Sequence, residues 1–163
     1  MTNKINSEII GFNIALYSTY WDNPPIAEVF LNDESFFKGE ITNNEKDPHV
    51  ITFKKELIDE QTYKVTIKLI DKKDNQTIVE NGKIIKDQLL SIKFINIDEI
   101  DLGGLIYEGK YYPDYPEPWA SQQRQEGKNL PEFLTNVTTM GHNGRWELAF
   151  KTPFYLWLLE NLY

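Results

Sequence analysis

Two histidines, His49 and His142, are the only imidazoles in this chain of 163 residues, and it has no cysteine. Disulfides, thiolate metal sites and cysteine nucleophiles are therefore excluded. His49 follows Pro48 in a polar stretch, and His142 stands in Gly141-His142-Asn143-Gly144. No His-Glu-x-x-His pattern, no Gly-x-Ser-x-Gly elbow and no phosphate-cradling glycine loop accompanies them. His142 beside Asn143 has the chemistry to orient a substrate, but it also suits a turn that leads into Trp146, and the second reading asks less of it. The expected protein is not an enzyme.

Carboxylates offer a different chemistry. Asp98, Glu99 and Asp101 follow an apolar run and precede Gly103-Gly104. Acids on a loop can hold Ca²⁺, which takes six to eight oxygens, so these three acids together offer a candidate metal site. The alternative is a solvated strand end. No other cofactor is indicated. Aromatic rings carry the richest potential: Tyr107, Tyr111, Tyr112, Tyr115 and Trp119 fall within 13 residues. Tyrosine and tryptophan bury large areas at low entropic cost, which suits sugar stacking and protein interfaces alike. Tyr111, Tyr112, Tyr115 and Trp119 are the candidate binding residues, against the alternative that the rings roof a core. Glu108, Asp114 and Glu117 lie among them, and the chain carries 17 basic against 25 acidic residues, a net charge of −8. A nucleic-acid partner, which needs clustered Lys/Arg, is not expected.

The last aromatic cluster is terminal. Thr152-Pro153 has the form of a helix start, with a hydroxyl at the N-cap and proline at the first helical position. Phe154, Tyr155, Leu156, Trp157, Leu158, Leu159, Leu162 and Tyr163 then place apolar groups around nearly the whole helix. A helix apolar on all sides must be buried, either as a plug in its own domain or against a neighbouring subunit, and two large aromatics per turn favour the subunit interface. Phe154, Tyr155, Trp157 and Leu158 are its candidate contact residues. No apolar run reaches the ~20 residues that span a bilayer, and the N-terminus lacks a signal-peptide core.

The elements that must position these groups are strands. Residues 1–9 read as a flexible arm and 10–163 as one domain. Phe12, Ile14 and Leu16 alternate; Ala27, Val29 and Leu31 alternate; Tyr63, Val65, Ile67 and Leu69 alternate against Lys64, Thr66 and Lys68. That period of two marks antiparallel strands with one wet face. Pro24-Pro25 must lie in a loop, and Asn81-Gly82 signals a hairpin. Around Phe94-Ile95 the alternation slips by one residue, as at a bulge or in a strand buried on both faces. Seven or eight short strands within 10–98, without an amphipathic helix, predict an all-β fold, an antiparallel sandwich or jelly roll. Residues 99–145 read as a long Tyr/Pro-rich connection that is neither helix nor inner strand through the prolines, with a short polar helix ended by Gly127. Residues 146–163 read as a final strand (Trp146, Leu148, Phe150 on one face) and a short C-terminal helix.

The strand rhythm, Ile95-Asn96-Ile97-Asp98-Glu99-Ile100, the Tyr-Pro-Glu-Pro-Trp segment and the closing Gly-His-Asn-Gly-Arg-Trp-Glu-Leu…Pro-Phe-Tyr-x-Trp-Leu-Leu-Glu together resemble β-sandwich structural proteins of tailed bacteriophages. Their sandwich is similar to the calcium-dependent xylan-binding modules of carbohydrate-active enzymes. The resemblance implies a non-enzymatic virion component of capsid, neck or tail, assembled in the host cytoplasm, with copies of itself or other virion proteins as partners. It also implies an alternative, a carbohydrate-binding module in which the Tyr/Trp residues stack on sugar faces. The same resemblance is what brings calcium to Asp98 and Asp101.

Overall fold

The computed structural model describes residues 6–162. Most of the predicted arm lies outside that range, as does Tyr163. The strands are β1 (Ser7–Thr19), β2 (Ile26–Leu31), β3 (Glu34–Glu40), β4 (His49–Ile58), β5 (Thr62–Ile70), β6 (Ile78–Glu80), β7 (Lys83–Lys86), β8 (Leu89–Ile97), β9 (Ile100–Asp101), β10 (Lys110–Pro113), β11 (Leu134–Thr135), β12 (Thr139–Met140) and β13 (Gly144–Lys151). Among the described residues there are also two helices, α1 (Trp119–Gln125) and α2 (Phe154–Leu162), and short 3₁₀ turns at 74–76 and 103–108. One sheet runs β12-β8-β1-β4, with β9 folded back on β8, and the other runs β11-β10-β13-β5-β2-β3. Every ladder is antiparallel, so the expected all-β sandwich is what forms.

Alternation places the core. Val65, Ile67 and Leu69 of β5 and Trp146, Leu148 and Phe150 of β13 are buried, because residues two apart share one face of the pleat. Phe12 of β1 stacks on Phe53 of β4 at 4.8 Å and meets Phe150 across the sandwich at 6.2 Å. The slip in β8 is a bulge. Ala15 pairs with Phe94 and Leu16 with Ile92, leaving Lys93 as the extra residue. That offset lets Ile92 and Ile95 both reach the core while Lys93 stays exposed.

Three expectations need correction, and a fourth is met within this chain on one side only. The arm does not extend to residue 9, since β1 begins at Ser7, paired with Ile58. Residues 99–145 are not one long connection either. Lys110–Pro113 forms β10, which lies between β11 and β13 inside the second sheet. Pro113 is tolerated because it is the strand's last residue, where a missing N–H costs least. Thr152 does not cap α2. Its hydroxyl donates to the carbonyl of Ile58 (2.6 Å) and accepts from the N–H of Gln61 (3.0 Å), closing the β4–β5 turn. Finally, α2 is buried on one side only. Phe154 and Leu158 enter the core, and Trp157 packs on Phe150 at 6.2 Å. Tyr155 is 63% exposed, and Leu156, Leu159 and Leu162 also face solvent.

Candidate functional site

At one end of the sandwich, loops leaving β5 and β10 meet those entering β8 and β13 and enclose a cleft of about 550 Å³. Its first wall is the β6–β7 hairpin. Asn81 and Gly82 both take positive φ (53° and 76°), the two-residue turn that Asn-Gly favours. That hairpin joins neither main sheet and presents Val79 and Ile84, which are paired with each other and exposed. Its base is held where Lys86 lies over the Trp21 ring at 4.7 Å and the Trp21 indole N–H donates to the Gln76 carbonyl at 2.8 Å.

The second wall is the turn into α1, with Pro116, Pro118, Trp119 and Gln122 lining the cleft. Trp119 is 37% exposed. Tyr115 and His142 brace it, with ring centroids at 6.2 and 5.4 Å, and Tyr115 is itself anchored by its hydroxyl donating to the Pro131 carbonyl at 2.7 Å.

Between the walls lies a polar floor. Lys72 Nζ donates to Asp87 Oδ1 and to the Gly141 carbonyl, each at 2.6 Å. The two side chains are only 8% and 17% exposed. Thr77 Oγ1 (2.6 Å) and the Gln88 N–H (2.8 Å) also donate to Asp87 Oδ1. Among the described residues Oδ2 receives no hydrogen bond, which leaves an unused acceptor on a residue that lines the cleft. Burial alone raises the Asp87 carboxyl, but the hydrogen bonds from Lys72, Thr77 and Gln88 outweigh it and hold the group below the usual carboxylate range. The Asn143 side chain clips the floor to β5's end, accepting from the Lys72 N–H (2.8 Å) and donating to the Lys72 carbonyl (3.0 Å).

His142 is held by its backbone. The Tyr111 hydroxyl donates to the His142 carbonyl at 2.5 Å and accepts from its N–H at 2.9 Å. Burial pushes that phenol up to about 12, so it stays a donor at any ordinary pH. Burial, and then the Lys72 charge, lower the His142 imidazole below 6.5. A neutral ring offers one donor and one acceptor. As pH falls through 6.5 the unfolded chain takes up this proton before the folded one does, so this group's contribution to stability declines with acidification. The stability difference between the wild type and His142→Gln, measured by urea unfolding, is expected to shift against the wild type between pH 7.5 and pH 5.5. An unchanged difference would contradict a lowered imidazole.

Of the four aromatics singled out in the loop, then, only Trp119 lines this cleft, with Tyr115 behind it. Tyr111 is 2% exposed, a core residue and not a surface platform. Its ring faces inward because β10 pairs it with buried Trp146. Tyr112 lies elsewhere, beneath the Arg145 guanidinium at 4.2 Å. In α2, Phe154 and Leu158 are likewise core, Trp157 is half-buried, and Tyr155 alone of the four is open to a partner. Asp98 and Glu99 both take positive φ (54° and 65°) as the two-residue turn between β8 and β9, and Asp101 Oδ1 accepts from the Gly103 N–H at 2.8 Å. These acids shape a hairpin. Among the described residues no group of three or more acids or histidines lies together. Lys72, Asp87, Val79 and Ile84 carry no local signal that marks them as neighbours of Trp119, whereas His142 and Asn143 stood out as a turn.

No family model matches this chain, and no curated relative does. Among solved structures, "vCBM60 in complex with galactobiose" is similar in fold, with a TM-score of 0.48 and 6% sequence identity over 84% of this chain and 95% of that one.

Proposed function

We propose that this chain is a non-catalytic carbohydrate-binding module whose ligand enters the cleft between the β6–β7 hairpin and α1. The observation that supports it most directly is a braced, partly exposed indole set above a floor of immobilised hydrogen-bonding groups. A pyranose has an apolar C–H face that stacks on such a ring, and its hydroxyls both donate and accept. Asp87 Oδ2 accepts, while neutral His142 can do either. Polar groups held in place within a concavity that also presents Val79, Ile84 and Trp119 suit a small ligand. No covalent step is required of any residue.

The Trp119→Ala variant tests this. Its side chain is partly solvated, so the fold should survive, while loss of the stacking surface weakens glycan binding about 30-fold, the scale of an aromatic hot spot. Isothermal titration against neutral oligosaccharides reads the change. Binding that is indifferent to this substitution would remove the cleft from consideration.

A second reading, an assembly protein of a phage particle, is supported by the outer face of α2, where Tyr155, Leu156, Leu159 and Leu162 are exposed together. Light scattering separates the two. Under the assembly reading the native chain associates, and replacing Tyr155 and Leu159 by lysine yields a folded monomer. A monomeric native chain would leave that reading without support.

A further inference from the structure

We infer that the cleft selects uncharged sugars and excludes uronic acids, with the Asp87 carboxylate accepting a sugar hydroxyl at its floor. This rests on the carbohydrate-binding reading above and narrows its ligand class. The charges that line the cleft are those of Lys72, Lys73, Asp74, Asp87, Asp114 and Glu117, four carboxylates against two ammoniums. Lys72 is already committed, since it is buried and donates to Asp87 and to the Gly141 carbonyl. Lys73 is exposed and adjacent to Asp74. Glu117 is engaged by the Ser121 hydroxyl at 2.6 Å and by Arg124 at 3.8 Å. Asp74 and Asp114 make no side-chain hydrogen bond or ion pair among the described residues, so their charges act on whatever enters.

A carboxylate on a ligand would therefore approach two unpaired acids at the rim, offset in part by Lys73, and beyond them the carboxylate of Asp87 already paired with Lys72, in a protein whose net charge is already −8. Like charges brought together on binding are a strong means of exclusion. A hydroxyl meets no such barrier. At Asp87 it finds an ionised acceptor, the stronger kind, and one that three donors already hold in place on Oδ1. Desolvating that carboxylate without a replacement donor would be costly, so a ligand that presents a hydroxyl there is favoured over one that does not.

The test uses matched pairs: hexamers of glucose, mannose and galactose, each beside its counterpart oxidised to the carboxylate at C6. Titration calorimetry with the full chain should show the uncharged member binding about tenfold or more tightly, and the ratio should shrink at high salt as rim charges are screened. In the double variant Asp74→Asn/Asp114→Asn the ratio should fall toward one. Equal affinities within a pair, or preference for the acid, would overturn the inference while leaving carbohydrate binding in place. A neutral member favoured by a ratio that ignores both salt and the double variant would overturn the role given to the rim acids. Failure of every hexamer, charged or not, would overturn the carbohydrate reading itself.

Discussion

A chain stopped after Thr152 should show no cooperative unfolding transition. The deletion removes Phe154, which is 2% exposed, together with Leu158 and the half-buried Trp157. Phe154 meets the Phe150 ring edge-on at 5.9 Å, and Trp157 stacks against Phe154 at the same distance. Truncating a buried phenylalanine costs about 3–5 kcal/mol and a buried leucine about 2–5 kcal/mol. Their combined loss approaches the whole stability of an ordinary domain, about 5–15 kcal/mol. The deletion would also open Phe150, and behind it Phe12, to water. Circular dichroism during thermal or urea unfolding reads the outcome: a broad, non-cooperative profile is expected, and a sharp transition would show that α2 is an appendage. The outer-face substitutions at Tyr155 and Leu159 should leave the transition cooperative, because neither side chain reaches the core. One helix thus plugs the core with one face and leaves the other exposed.

This division could not be read from the residues. Phe154 to Leu162 is apolar almost throughout, so periodicity has no polar face against which to register and does not say which half meets the chain's own core. Strands were more legible. In β5 and β13 lysine, arginine and glutamate alternate with Val, Ile, Leu, Trp and Phe, and charge is expensive to bury, so the wet face declares itself. A slip in the alternation was visible around Phe94-Ile95, next to the extra residue Lys93 where the bulge lies. Tyr111 was misread because tyrosine is at home on either side of a surface. What turns it inward is pairing with Trp146, a contact between residues far apart in the chain. The cleft was hidden for a related reason. Lys72, Asp87, Trp119 and His142 are brought together only because loops from four different strands end at one edge of the sandwich. Sequence could nominate Trp119 and His142 separately, and topology alone makes them neighbours.

Replacing Gly109 by alanine should be among the most damaging single-methyl additions in the molecule. A Cβ built there would lie 2.3 Å from Cε2 and Cζ2 of Trp146 and 2.5 Å from its Nε1. The backbone is not the obstacle, because Gly109 has φ −64° and ψ 154°, an extended conformation open to any residue. The obstacle is that Trp146 cannot yield. It is fully buried, between Tyr111 of β10 and Ile67 of β5 in the sheet register. Overpacking of a closed core costs about 1–3 kcal/mol and occasionally more, and an approach this close belongs at or above the upper figure. Gly104→Ala is the control, since nothing lies within 4 Å of a Cβ there, and its unfolding midpoint should be near that of the parent. Trp146→Phe removes the ring atoms that collide, so in the double variant with Gly109→Ala the two losses should sum to less than their parts, a coupling that a double-mutant cycle measures. Additive losses would mean that Gly109 is sensitive for some other reason. The consequence reaches the cleft as well. Gly109 leads directly into β10, and β10 carries Tyr111, whose hydroxyl holds the His142 backbone. If the methyl lifts β10 away from β13, His142 loses its anchor and Trp119 one of its two braces. Gly109→Ala should then weaken glycan binding under conditions where the variant is still folded, whereas Gly104→Ala should not.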